Sequence, residues 1–245
     1  MKIVEGLHLV ASGGSGFDLT DTLDCNVFLL TDGREHHIFD AGAGRDLDGM
    51  FTEMQRDGLD PMAIRTLFLT HGHADHSGGA AALAERLPGL TVVTGPLTSA
   101  ILSRNDERLI SLDRVRGKFY PQDYAWTAPR VDRVLTSGES VELGAFRVTL
   151  HETPGHSDDH CCYLVEAGGI RSLIAGDALF AGGRVILQDI EDCSVAKTLS
   201  SIRLLAGLDF ERFFPGHGRF SLRNGRRHVE AALPYVEAGA PPPQL

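Results

Sequence analysis

The chain has 245 residues, 42% of them hydrophobic, enough to bury one large two-layer core. Its formal charge is −10 and no basic stripe runs along it, which argues against a nucleic-acid partner. It has no run of the ~18 apolar residues a spanning helix needs, and its acidic-flanked start Met1-Lys2-Ile3-Val4-Glu5-Gly6 is unlike a signal peptide. A membrane partner is therefore not expected, and the cytoplasm is the expected compartment.

Residues 1–40 read as strands, with turns at Gly13-Gly14-Ser15-Gly16 and Thr31-Asp32-Gly33 and an alternating run over Cys25–Leu30. Residues 46–57 read as a short helix, stopped by Gly58 and Pro61. The apolar run Leu67-Phe68-Leu69 then leads into His71-Gly72-His73-Ala74-Asp75-His76, three imidazoles and a carboxylate in six residues. Neutral imidazole is the commonest protein metal ligand, and a carboxylate adds the negative charge that holds a divalent cation. Gly78 to Leu87 is Ala-rich and helical up to Pro88-Gly89, and 90–93 is β-like.

Phe119, Tyr120, Tyr124 and Trp126 mark an aromatic-rich insert at about residues 105–130. Two roles fit it: a lid or pocket wall, with Tyr120 and Trp126 touching substrate, or a packing or dimer surface. The second half repeats the scheme, with strands at about 141–150 and 161–175, a helix near 194–207, a strand at 211–214 and a helix over 226–237. Residues 1–238 thus read as a single domain of two similar halves, followed by a flexible Pro-rich tail over 239–245. Cys25, Cys161, Cys162 and Cys193 lack CxxC spacing, so reduced thiols are expected.

Three more small-residue turns follow apolar runs: Thr153-Pro154-Gly155-His156-Ser157, Gly176-Asp177 and Pro215-Gly216-His217-Gly218. Functional groups collect at loops that end buried strands. The candidate ligands are therefore His71, His73, Asp75, His76, His156, Asp177 and His217. Five imidazoles and two carboxylates are too many for one four-coordinate ion. They suit two ions that share a bridging carboxylate and leave positions open for water.

In this order, HGHADH, TPGHS, GDALF and PGHG resemble the metallo-β-lactamase fold superfamily, and Ile38-Phe39-Asp40-Ala41-Gly42 resembles its first motif. The resemblance covers nearly the whole chain up to His217. It implies an α/β fold, the αββα sandwich of two mixed β-sheets with outer helices. It also implies that His71, His73 and His156 hold one metal and Asp75, His76 and His217 a second, with Asp177 bridging. Asp40 would brace the His71–His76 loop. Two zinc ions are the expected cofactors, with iron or manganese as alternatives.

Metal binding lowers the pKa of water towards neutrality, so a metal-bound hydroxide is the expected nucleophile. Asp75 is the candidate for moving the proton to the leaving group. The expected activity is hydrolysis of an ester, thioester or lactone in a small-molecule acyl substrate, and a homodimer is compatible with the chain. The His156-to-His160 spacing is similar to glyoxalase II-like thioesterases, which sets His160 beside the ligands. Those enzymes carry a helical C-terminal region for their glutathione thioester, and only 28 residues follow His217 here, which argues against that substrate. Quorum-signal lactonases have a Tyr three positions after the bridging Asp. Phe180 stands there, an apolar substrate contact that disfavours an acyl-homoserine lactone. Two other classes stay open: a mononuclear iron enzyme similar to persulfide dioxygenases, and a non-catalytic metal-binding scaffold.

Overall fold

In a computed structural model describing residues 1–245, the chain forms two units: Met1–Thr94 with Thr98–Val134, and Gly95–Leu97 with Leu135–Leu245. Each builds one mixed sheet. Elements in chain order are β1 (Lys2–Val4), β2 (Leu7–Ala11), β3 (Val27–Thr31), β4 (His36–Phe39), α1 (Leu47–Arg56), β5 (Ile64–Phe68), α2 (Ala74–Ser77), α3 (Ala80–Arg86), β6 (Thr91–Thr94), α4 (Pro96–Leu102), α5 (Leu112–Val115) and β7 (Arg133–Val134). The seven strands lie in sequence order, antiparallel as far as β4 and parallel from β4 to β7.

The change of direction has a simple cause. β1–β2 and β3–β4 are joined by short turns and β2–β3 by the loop over residues 12–26, whereas β4, β5 and β6 are joined through helices, the long connection that a parallel pair requires. In α1, Asp46 accepts from the Gly49 amide at 2.9 Å and caps the helix. Leu47, Met50 and Met54 recur at helical spacing and are buried in one cluster with Leu29, Ile38 and Leu67 of the sheet. Fully burying each such side chain contributes about 1.5–3 kcal/mol.

The second unit continues with β8 (Ser140–Leu143), β9 (Phe146–Glu152), β10 (Cys161–Ala167), β11 (Ile170–Gly176), α6 (Val195–Ala206), β12 (Arg212–Pro215) and α7 (Arg227–Glu237). Its sheet order is β12-β11-β10-β9-β8. The apolar run expected over 161–175 is two strands. Gly168 and Gly169, at φ +55° and +78°, form the two-residue turn that pairs Ala167 with Ile170. β12 lies parallel to β11 after the α6 crossover, whose Leu199, Ile202 and Leu205 pack in one cluster with Leu173, Ala175 and Phe213.

The Pro-rich tail runs back beside Val185. The Val185 amide donates to the Pro243 carbonyl at 3.0 Å, and the Leu245 amide donates to the Val185 carbonyl at 2.9 Å. Proline cannot donate a backbone hydrogen bond, but its carbonyl still accepts one. No helix is long and apolar enough to cross a membrane, and all four cysteines are free thiols.

Candidate metal centre

The first cluster forms where β4 and β5 end side by side. Asp40 follows β4 at φ +64°, a left-handed conformation that is uncommon outside glycine and costs on the order of 1–3 kcal/mol. Four hydrogen bonds hold it there. Its amide donates to the Phe68 carbonyl at 2.8 Å, and its carboxylate receives the Thr70 amide at 2.8 Å, the Thr70 hydroxyl at 2.9 Å and His76 Nδ1 at 2.8 Å. The Thr70 hydroxyl also lies 2.9 Å from His71 Nδ1. In His76, Nδ1 is thereby engaged and Nε2 is left to face the other way.

The rest of the HGHADH turn is equally constrained. His73 precedes α2, and its carbonyl accepts from the amides of His76 and Ser77. The His71 ring centroid is 4.6 Å from that of His73 and 4.2 Å from that of His76. Asp75 Oδ2 lies 3.8 Å from His76 Nε2. His71, His73, Asp75 and His76 are all buried. Cys25, Asp40 and His76 bring one ligand-type atom each within 4.8 Å of one another. Burial pushes the Cys25 thiol up to about 12, so it stays protonated at neutral pH.

The second cluster belongs to the other unit. Gly176 ends β11 at φ +48°, and its carbonyl accepts from the Gly216 amide at 2.7 Å, which ties the Asp177 turn to the His217 turn. His156 sits in the 153–160 loop, where the Thr153 amide donates to the His160 carbonyl at 2.8 Å. This loop closes against α6 through Gly155, at φ +146°. A Cβ there would lie 2.4 Å from the Thr198 amide nitrogen, so only glycine fits. His156 Nδ1 lies 3.2 Å from the Ile186 carbonyl, which suits it to donate there and present Nε2.

Asp177 Oδ2 is 3.5 Å from His156 Nε2 and 3.5 Å from His217 Nε2. These separations exceed the usual N–H···O distance. They match ligand atoms sharing an ion with bonds of about 2.0–2.2 Å, which sit roughly 3.3–3.6 Å apart around a tetrahedron. The donor set therefore fits a divalent cation.

His160, expected beside the ligands, has a defined part. Its Nε2 accepts the Asp177 amide at 2.9 Å, so its proton resides on Nδ1, 2.9 Å from the Thr153 hydroxyl. That hydroxyl in turn reaches Cys162 Sγ at 3.2 Å. Phe180 is fully buried, with its ring centroid 6.3 Å from that of His217.

The aromatic insert packs on the first unit. Tyr120 and Tyr124 are buried in a cluster with Ala43 and Ala74, and their ring centroids are 4.9 Å apart. Trp126 is half-buried, and its indole N–H donates to the Ser77 hydroxyl at 2.9 Å. The Tyr120 hydroxyl meets Asp75 rather than open space, donating to Oδ1 at 2.8 Å and receiving the Asp75 amide at 2.9 Å. Burial, reinforced by the neighbouring carboxylate, holds the Tyr120 phenol well above the usual tyrosine range. Sequence reasoning missed Thr70, Thr153 and the Tyr120–Asp75 contact. A hydroxyl residue directly before His71 and another opening the TPGHS turn were the available signals for the first two.

Comparison with known proteins agrees with this fold. A family model described as the metallo-beta-lactamase superfamily matches residues 20–217. Lactamase-like protein vrtG of Penicillium aethiopicum is 26% identical over 194 residues, covering 79% of this chain and 51% of that protein. Thioesterase pkgB of Emericella nidulans is 24% identical over 193 residues, covering 79% and 45%. A hydroxyacylglutathione hydrolase of Hahella chejuensis is 30% identical over 146 residues, covering 60% and 46%. The chain spans about half the length of these curated relatives. Among solved structures, a metallo-β-lactamase of Cronobacter sakazakii aligns with a TM-score of 0.72 at 20% identity, covering 98% of this chain and 93% of that one. The FEZ-1 metallo-β-lactamase of Legionella gormanii aligns with a TM-score of 0.72 at 17% identity, covering 95% and 92%.

Proposed function

Because the chain belongs to the metallo-β-lactamase superfamily, a family of metal-dependent hydrolases, we propose that it hydrolyses a small acyl thioester with two divalent ions, zinc first among them. The observation that carries the reading is the single oxygen of Asp177, 3.5 Å from the Nε2 atoms of both His156 and His217. An iron centre held by two histidines and one carboxylate has no need of such a shared atom. His71, His73 and His156 would hold one ion, and Asp75, His76 and His217 the other, with Asp177 common to both, as the resemblance implies.

Bound divalent ions supply Lewis acidity, which activates water and polarises an acyl carbonyl. The chain's own residues do the rest. Asp40, Thr70 and His160 orient ligand groups through the hydrogen bonds described above. Asp75 is the residue to take the proton from water and deliver it to the leaving sulfur. Overall, a C–O bond forms, the C–S bond breaks, and the thiol departs with that proton. A thioester is favoured over an oxygen ester or lactone because relatives are named thioesterase and hydroxyacylglutathione hydrolase. The acidic chain and its free thiols support a small-molecule substrate in a reducing compartment.

The test is elemental analysis of the purified chain, followed by a panel of acyl thioesters, esters and lactones assayed with wild type, His73→Ala and His217→Ala. Near two zinc ions per chain, thioester turnover, and loss of both metal and turnover in each variant are expected. Full activity with unchanged metal in both variants would sink the reading. A single bound iron would replace it with an oxygen-consuming enzyme.

A further inference from the structure

The mechanism above leaves one buried polar contact without an assignment. Tyr120 lies 45 positions from Asp75 in sequence, yet its hydroxyl oxygen makes two hydrogen bonds to that one residue. The O–H donates to Asp75 Oδ1, and the Asp75 amide donates back to the same phenolic oxygen. With amide and carboxylate tethered to one point, rotation of the Asp75 side chain is restricted. Oδ1 is occupied, and Oδ2 is the oxygen that lies towards His76 Nε2, at 3.8 Å. Asp40 fixes His76 from the opposite side through Nδ1. Two adjacent ligand residues thus each have one polar atom committed to the protein and the other presented.

The insert holds the phenol in place. Glu107 and Arg116 form a two-bond ion pair, both contacts at 2.6 Å, across its base. Gly117, at φ +77°, turns the chain so that its amide donates to the Tyr120 carbonyl at 2.7 Å. Tyr120 is only 5% exposed, so water has little room to stand in for its hydroxyl.

We infer that Tyr120 is a positioning residue for the metal centre: its hydroxyl selects Oδ2 of Asp75 as the ligand oxygen and so sets the affinity of the ion that Asp75 and His76 hold. The inference rests on the metal-centre reading given above. It assigns the insert a role in metal retention in place of direct substrate contact by Tyr120.

The experiment strips full-length wild type, Tyr120→Phe and Tyr124→Phe with chelator and titrates each with Zn²⁺ against a competing chelating dye. The melting temperature of each metal-free protein is recorded alongside. Tyr124→Phe is the control, because its hydroxyl, in the same aromatic cluster, donates to the Ala43 carbonyl at 2.7 Å and to no carboxylate. Expected is a selective loss in Tyr120→Phe, with one ion weakened by about 10–100-fold and the other held as in wild type. The metal-free melting temperature should stay close to wild type, and a Co²⁺-loaded sample should show an altered visible spectrum. Unchanged affinity for both ions would overturn the inference alone, as would an equal loss in Tyr124→Phe, which would mark a packing effect. A wild type that fails to take up two ions would instead overturn the dinuclear reading, and this inference with it.

Discussion

His76 Nδ1 sits 2.8 Å from the carboxylate of Asp40, a residue held at a backbone angle few aspartates adopt. The carboxylate offsets that strain with bonds to Thr70 and His76, so one residue shapes both the end of β4 and the tautomer of a candidate ligand. In Asp40→Asn an amide replaces an acceptor-only group, and the contacts to Thr70 and His76 cannot all be kept. Zinc affinity is expected to fall about 10–100-fold. Competition with a chelating dye measures it, and wild-type affinity would show that Asp40 serves only the backbone.

His160 acts through Asp177, accepting its amide at 2.9 Å. His160→Ala leaves that buried amide without its acceptor. Zinc retention should drop at least several-fold although all five candidate ligand histidines remain. Metal content after dialysis against a weak chelator is the readout. Full retention in the variant would mean the Asp177 turn is held by the Gly216 contact alone.

Gly155→Ala should cost about 2–4 kcal/mol, combining a backbone angle suited to glycine with a methyl forced to 2.4 Å from the Thr198 nitrogen. Gly168→Ala is the comparison. Its φ is also positive, at +55°, but nothing lies within 4 Å of the new methyl, so about 1–2 kcal/mol is expected. Urea midpoints of the two variants should separate clearly.

Asp24 is buried between Thr20 and Ala43, and desolvation pushes its carboxyl up to about 6. The folded protein therefore binds this proton more tightly than the unfolded chain does. The stability this adds is fully present below the unfolded value near 3.8 and is lost as pH rises through about 6. In Asp24→Asn that loss is absent. The variant should gain on the order of 2–3 kcal/mol over wild type between pH 4 and pH 7.5. Denaturant unfolding of metal-free protein at the two pH values gives the difference, and a constant gap would refute the assignment.

Metal binding to the folded state alone should raise stability by about 2.7 kcal/mol when free zinc reaches a hundred times its dissociation constant. Calorimetric scans with and without zinc should show the upward shift. In the double variant His73→Ala, His217→Ala the shift should shrink markedly.

Much of this could be read from the chain, for identifiable reasons. Helices α1, α6 and α7 announce themselves through apolar spacing and, in α1 and α6, through the capping residues Asp46 and Ser194. The candidate ligand residues stand out because each follows a strand and sits in a turn rich in small residues. What stayed hidden depends on contacts between distant positions. The pairing of Pro243 and Leu245 with Val185 leaves no periodic trace, because carbonyl acceptance does not depend on side-chain type. The partner of Tyr120 was equally illegible. Four aromatics in eight residues suggest apolar surface, and only the folded insert shows which hydroxyl meets a carboxylate.

The route taken by residues 105–130 limits how this scaffold can be re-engineered. Exchanging a loop near an active site is a common way to change substrate preference, on the premise that scaffold and loop are separable modules. Here the exchange would also remove the phenol that grips Asp75 and the indole that caps Ser77. A graft that leaves out a tyrosine equivalent to Tyr120 would register first as lost cofactor loading, and could easily be mistaken for a failure to recognise the new substrate.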